Sequence, residues 1–190
     1  MRTLGELVTF AKDNPGKLSF GSAGTGSMTH LTGEMLKLRA TVPGIVHVPY
    51  TGAGPVMNDL IGGHIPLGVV TLSSQVLDLH ASGKIRIIAV TTPKRLSVAP
   101  NVQTATEAVP GLVSLNFAGV FVPKGTPPAI ITQVSAAVGK SIADPELLKL
   151  YEAGGVEVRR DNDPAVLHEF LRNEHATWRP VIEASGFAIN

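Results

Sequence analysis

An α/β fold, built on a parallel sheet covered by helices on both faces, is predicted by three observations. Short apolar runs alternate with helix-like patterns through the first half of the chain. Gly/Ser/Thr turns stand at the ends of those runs, and the runs themselves are apolar along nearly their whole length. Strands buried on both faces have no polar face to alternate, and strands joined through helices run parallel. The 190 residues suffice for one ordinary domain or two small lobes with a sizeable core.

The elements follow in order. Thr3 and Glu6 have the spacing of a capping box, so a first helix is expected over about 3–13, stopped by Asn14-Pro15-Gly16. Lys17 to Ser22 reads as a strand. Ser27 can cap a helix to about Arg39, in which Met28, Leu31, Met35 and Leu38 recur at helical spacing. "IVHVPY" is the next strand, "GPVMNDLIGG" a short helix closed by glycine, and "PLGVVT" a third strand. "SSQVLDLHASG" is a helix and "IRIIAVT" a fourth strand. After Thr92 the rhythm changes to turns, and "LNFAGVFVPKG" reads as a long apolar strand crossing between lobes. Thr126 is expected to cap "PPAIITQVSAAVGKSIAD", whose prolines fall in the first turn, where a missing N–H costs little. "PELLKLYEAGG" is another helix, "VEVRR" a short strand, and Asp163-Pro164 opens a last helix ending near Gly186.

Composition narrows the function. Hydrophobic residues make up 44% and mean hydropathy is +0.22, so the chain is expected to fold. A formal charge of +1 lacks the dense basic face that nucleic acid requires, so no nucleic-acid partner is expected. There is no cysteine, which removes disulfides and thiol catalysis. "MRTLGELVTFAKDN" is not a signal peptide, and no run approaches a membrane span. The chain as given therefore carries no address, which by itself would leave it in the cytoplasm. The six histidines show no metal-ligand spacing, and no metal or cofactor is expected.

The segment "GSAGTGS" carries the clearest chemical signal. A P-loop would need lysine where Ser27 stands, and a dinucleotide fingerprint would need a third glycine where Thr29 stands. Neither Ser22 nor Ser27 lies in a GxSxG elbow. What remains is a backbone that Gly24 and Gly26 let approach a ligand, with hydroxyls on Ser22, Thr25 and Ser27 and the opening N–H groups of the following helix. No Lys or Arg lies between Gly21 and Leu36, so the donors are neutral and suit a carboxylate better than a triphosphate. The alternative is a tight turn whose glycines only solve a packing problem. Tyr50, and Thr71 with Ser73 and Ser74, repeat the arrangement at the next two strand ends. His47 reads as a hydrogen-bonded core residue. No base stands beside a nucleophile in sequence, so no catalytic residue and no enzyme activity are expected.

"PGKLSFGSAGTGSMTHLTGEMLK", "VHVPYTGAGPVMNDLIGGHI", "GKIRIIAVTTPKR" and "GVFVPKGTPPAIITQVSAAV" resemble the Bug family, the TctC-like substrate-binding proteins of tripartite tricarboxylate transport systems. The likeness covers nearly the whole chain in the right order. It implies a type II periplasmic-binding-protein-like fold. Residues 15–115 would be a complete α/β ligand-binding lobe, 1–14 a helix of the lobe junction, and 116–190 the crossing strand and helical tail of an incomplete other lobe. It also implies a small carboxylate ligand, a membrane permease as partner and the periplasm as location. Ligand contacts are expected at Ser22, Ala23, Gly24, Thr25, Gly26 and Ser27, with Tyr50, Thr71 and Ser73 beside them. Family members normally begin with a signal peptide and about half of the first lobe, and by that resemblance this chain starts after them. The family's acidic pair framing the third strand is replaced here by Pro66 and Val70.

Two functions follow. The first is a solute-binding protein, or a truncated relative of one, for a small organic carboxylate. The second is a self-associating module derived from that family with ligand binding lost. In either case the unpaired apolar stretch from Phe117 to Val122 and the helix from Pro127 are expected at the contact of a homodimer or larger assembly.

Overall fold

The computed structural model describes residues 1–159 and 163–186. Its helices are α1 (Leu4–Asp13), α2 (Met28–Arg39), α3 (Ala53–Ile61), α4 (Ser74–Ala81), α5 (Pro128–Ile142), α6 (Pro145–Ala153) and α7 (Pro164–Ser185). Its strands are β1 (Ser19–Ser22) and β2 (Val46–Pro49). The chain divides into two compact units, Phe117–Thr177 and the remainder.

In the larger unit β1 is central. It pairs in parallel with β2, Phe20 opposite His47 and Ser22 opposite Pro49. On its other edge the Gly21 N–H donates to Leu67 O (2.9 Å), and the Val69 N–H donates to Gly21 O (2.9 Å). The "PLGVVT" run thus joins the sheet in parallel through Gly21 and Gly68. A side chain at Gly21 would meet Ile65 Cδ1 at 2.6 Å and Tyr50 and Val56 at 3.1 Å, so glycine lets these side chains pack over this central position. Three parallel segments therefore end at one edge, and each feeds the helix that follows it.

One cluster joins α1 (Leu4, Leu7, Ala11), β1 (Phe20) and α2 (Leu31, Met35, Leu36) to Trp178 and Val181 of α7. Phe20 and Met35 are fully buried within it. Gly33 lets α2 lie against the Phe20 ring, since a Cβ there would stand 2.1 Å from it. A smaller cluster gathers Val90, Ala99 and Val102 under the turn-rich segment.

Several expectations need correction. Thr3 does accept the Glu6 N–H (3.2 Å), but the Glu6 carboxylate accepts from Arg2, so the expected reciprocal box is half formed. The predicted fourth strand pairs only at Val90, which bridges in parallel to Thr104. No strand is formed over 115–125, because a strand exists only through a neighbour's hydrogen bonds and this stretch makes none from its N–H groups. "VEVRR" likewise forms no strand over 156–159, and Arg160 lies outside the described residues. Thr126 does not cap α5: its hydroxyl donates to Pro123 O (2.8 Å), and Pro127 occupies the cap position.

In the smaller unit α5 and α6 follow in succession, and Asp144 caps α6 by accepting from the Glu146 and Leu147 N–H groups. Phe117 meets Phe170 edge to face at 4.9 Å between ring centroids.

Candidate functional site

The 22–27 loop lies where the carboxyl end of β1 turns into α2. Gly24 and Gly26 adopt φ values of 133° and 80°, in the region that disfavours side chains, and a Cβ at Gly24 would stand 3.1 Å from Tyr50 O. Ser27 caps α2, its Oγ accepting the His30 N–H (3.2 Å) and donating to Gly24 O (2.7 Å). Thr29 Oγ1 accepts the Ala23 N–H (3.0 Å) and stands 2.9 Å from Ser27 Oγ. Ser22 is fully buried, accepts the Gly24 N–H on its Oγ (3.2 Å), and lies 2.7 Å from His47 Nε2. The Gly26 N–H donates to His30 Nδ1 (3.1 Å).

The hydroxyls of Ser22 and Ser27 are thus spent inside the loop. Among the described residues, the N–H groups of Thr25, Met28 and Thr29 and the exposed Thr25 hydroxyl have no protein partner. Three free amides at the positive end of a 12-residue helix, with no lysine or arginine in the loop or the first turn of the helix, are neutral donors of the kind that suit an anion.

The other expected positions sit at the same sheet edge but in different settings. Tyr50 donates its N–H to Ser22 O (3.0 Å) and its hydroxyl to Asp59 Oδ2 (2.7 Å), a bond that raises the phenol's pKa. Thr71 is exposed, and Ser73 caps α4 with Oγ accepting the Val76 N–H (3.4 Å). Both line a shallow pocket of about 160 Å³ between α3 and α4, with Gly54, Met57 and Val76. The 22–27 loop does not line it. The structure therefore brings together 22–27 with Tyr50, and separately Thr71 with Ser73.

Three contributors escaped the sequence reading. Thr29 and His30 tie the loop from the first turn of α2, and His47 reaches it from β2. The rings of His30 and His47 stack at 4.0 Å between centroids, and Phe20 stacks with His47 at 4.9 Å. Burial, with the His30 ring next, pushes His47 down to about 4. Burial also lowers His30, against the opposing pull of Glu34. Spacing gave a partial signal for Thr29 and His30, two and three residues after the cap. None existed for His47, whose contact depends on strand register.

A parallel sheet with free amides at its carboxyl edge is an α/β frame, and in such sheets ligands gather at that edge. The chain matches the family described as the tripartite tricarboxylate transporter family receptor over residues 1–187, and it belongs to that family. It is 35% identical over 183 residues to a UPF0065 protein encoded between tcbD and tcbE in Pseudomonas sp. strain P51, covering 95% of this chain and 54% of the relative. A UPF0065 protein encoded between clcB and clcD in Pseudomonas knackmussii is 31% identical over 162 residues, covering 84% of this chain and 94% of that one. The chain spans about half the length of the first relative.

Among solved structures, one described as a periplasmic transporter superposes with a TM-score of 0.83 at 29% identity, covering 96% of this chain and 60% of that one. A protein from R. palustris solved with adipate gives 0.79 at 30%, covering 99% and 62%. MatC from Rhodopseudomonas palustris, solved with malate, gives 0.77 at 25%, covering 95% and 62%. The fold is periplasmic-binding-protein-like, and the family is one of receptors rather than enzymes.

Proposed function

We propose that this chain is a solute-binding protein, or a truncated relative of one, that recognises a small organic carboxylate for a tripartite tricarboxylate-type transporter. The observation that carries the reading is the set of free amides at Thr25, Met28 and Thr29 on a glycine-shaped loop without cationic side chains. Residues 22–27 hold the carboxylate, with Tyr50 shaping the loop from β2, and Thr71 and Ser73 offering hydroxyls at the neighbouring strand end. The two R. palustris neighbours were solved with dicarboxylates, which supports this ligand class. Residues 15–115 form the ligand-binding lobe, with 1–14 at the lobe junction and 116–190 belonging to the other lobe. The working site is the periplasm and the partner a membrane permease.

Calorimetric titration with a carboxylate panel including adipate and malate tests this. Saturable binding weakened by Gly26→Ala, which forces a side chain into a φ of 80°, is the expected result. Absence of binding by the folded protein to every member would overturn it.

One observation favours the second reading, a self-associating module. Phe117, Val120 and Phe121 are 42%, 61% and 63% exposed, and no residue of α5 is buried. Exposed apolar stretches without backbone partners pair readily with a second copy. Light scattering at micromolar concentration separates the readings: a dimer or larger that Phe121→Lys dissociates supports association through 117–122 and the helix from Pro127.

A further inference from the structure

We propose that His30 and His47 act as a proton-sensitive latch on the 22–27 loop, holding it in its anion-presenting form while both imidazoles are neutral and releasing it when the pair takes up a proton. The inference rests on the carboxylate reading only for its consequence in binding.

The geometry begins with hydrogen-bond roles. His30 Nδ1 receives the Gly26 N–H at 3.1 Å, and a ring nitrogen can accept only when it carries no proton. His30 is therefore the neutral tautomer with its proton on Nε2. That atom faces Glu34 Oε1 at 3.7 Å, and Lys37 occupies the same carboxylate oxygen at 2.9 Å. A second proton on His30 would set two donors, Nδ1–H and the Gly26 N–H, against each other at hydrogen-bond distance.

His47 holds the other end of the loop. Its Nε2 is 2.7 Å from Ser22 Oγ, the atom that also accepts the Gly24 N–H. The two histidines thus fix alternate glycines, Gly24 through Ser22 and Gly26 directly. The rings lie face to face at 4.0 Å, so a charge on one opposes a charge on the other.

Among the described residues, the charged groups acting on the pair are Glu34 and Lys37 on α2, and β2 contributes none. β1 contributes none, and the loop is uncharged. Burial lowers both imidazoles, His47 to about 4, so the latch is closed at neutral pH and opens as pH falls below the ordinary histidine range. Opening frees Gly26 to rotate, and the amides of Thr25, Met28 and Thr29 no longer converge.

The test is nuclear magnetic resonance on the full chain without ligand. At pH 7.5 the imidazole nitrogens of His30 should report a proton on Nε2 and a bare Nδ1. Lowering the pH to 4 should shift the Gly24 and Gly26 amides together with the imidazole signals, while Gly111, beside the Arg39 guanidinium, stays still. His30→Asn offers an acceptor without a titrating ring and should flatten the Gly26 response. His30→Leu removes the acceptor and should raise Gly26 amide exchange by about tenfold or more. A proton on His30 Nδ1 at pH 7.5 would overturn the proposal, even if neither variant folds. So would loop amides that do not move by pH 4, or a Gly26 amide that titrates unchanged in His30→Asn. Adipate titrated at pH 7.5 and 4.5 adds the binding arm: affinity should fall more in the parent chain than in His30→Asn, and an equal fall in both counts against the latch. If adipate and malate bind at neither pH, the carboxylate reading fails and the resonance data still decide the latch.

Discussion

His47 Nε2 and Ser22 Oγ are 2.7 Å apart, the atoms and separation by which a base activates a serine nucleophile. The surroundings assign the pair a different role. Ser22 has no exposed surface, so no substrate carbonyl can reach its oxygen. The nearest amide, that of Gly24, donates to Ser22 Oγ itself at 3.2 Å rather than toward a place where an oxyanion could form. The bond joins β2 to the loop after β1, and its product is a fixed loop.

The half-buried imidazole of His47 makes stability depend on pH. His47 titrates near 4 when folded and at 6.5 in its ordinary environment, so between those values the unfolded chain binds more protons. Its contribution is fully present above pH 6.5 and is lost progressively as pH falls toward 4. Urea unfolding followed by the fluorescence of Trp178, the chain's one tryptophan, should show the midpoint dropping over that range. His47→Gln, which keeps a polar partner for Ser22, should flatten the slope.

The hydroxyls of Thr25 and Ser27 should separate on mutation. Ser27→Ala removes the cap of α2 and should cost about 1 kcal/mol of stability. Thr25→Ala removes an exposed group without a partner and should stay within about 0.5 kcal/mol. Denaturant unfolding measures both, and equal losses would show that the cap bond is not the source.

Gly33 offers a test of packing against propensity. Alanine is better than glycine in a helix by about 1 kcal/mol, so a solvent-facing site would gain. Here the new methyl would lie 2.1 Å from the buried Phe20 ring, and overpacking costs about 1–3 kcal/mol. Gly33→Ala should therefore destabilise, read as a lower thermal midpoint.

Arg95 grips Glu107 through Nε and Nη2, at 2.8 and 2.6 Å. The guanidinium first, then the Thr104 N–H, hold the carboxyl down to about 2. The pair's support of the 104–107 turn is present above the ordinary carboxylate pKa of 4.5 and is lost as pH falls from there toward 2. Carboxyl chemical shifts should place Glu107 well below the ordinary value of 4.5, and Arg95→Ala should move it up toward that value.

The sheet was legible where local signals and pairing agree. Ser27 and Ser73 mark their helices as hydroxyl caps, and β1, β2 and the run through Gly68 pair in parallel as the apolar pattern requires. The run from Leu115 to Gly125 has the composition of a strand, but strand formation depends on a neighbour that composition does not report. The loop's glycines were readable from type and spacing. That its serines would be consumed internally was not, because it depends on Thr29, His30 and His47 arriving from α2 and β2.

The core of the larger unit includes Trp178 and Val181, which reach it only after the chain has passed through Phe117–Thr177. During synthesis, Leu4, Leu7 and Phe20 wait for more than 150 further residues before the last pieces of their packing arrive. In the cell the earlier-made unit is thus the later to finish, with its apolar cluster left open to chaperones during synthesis.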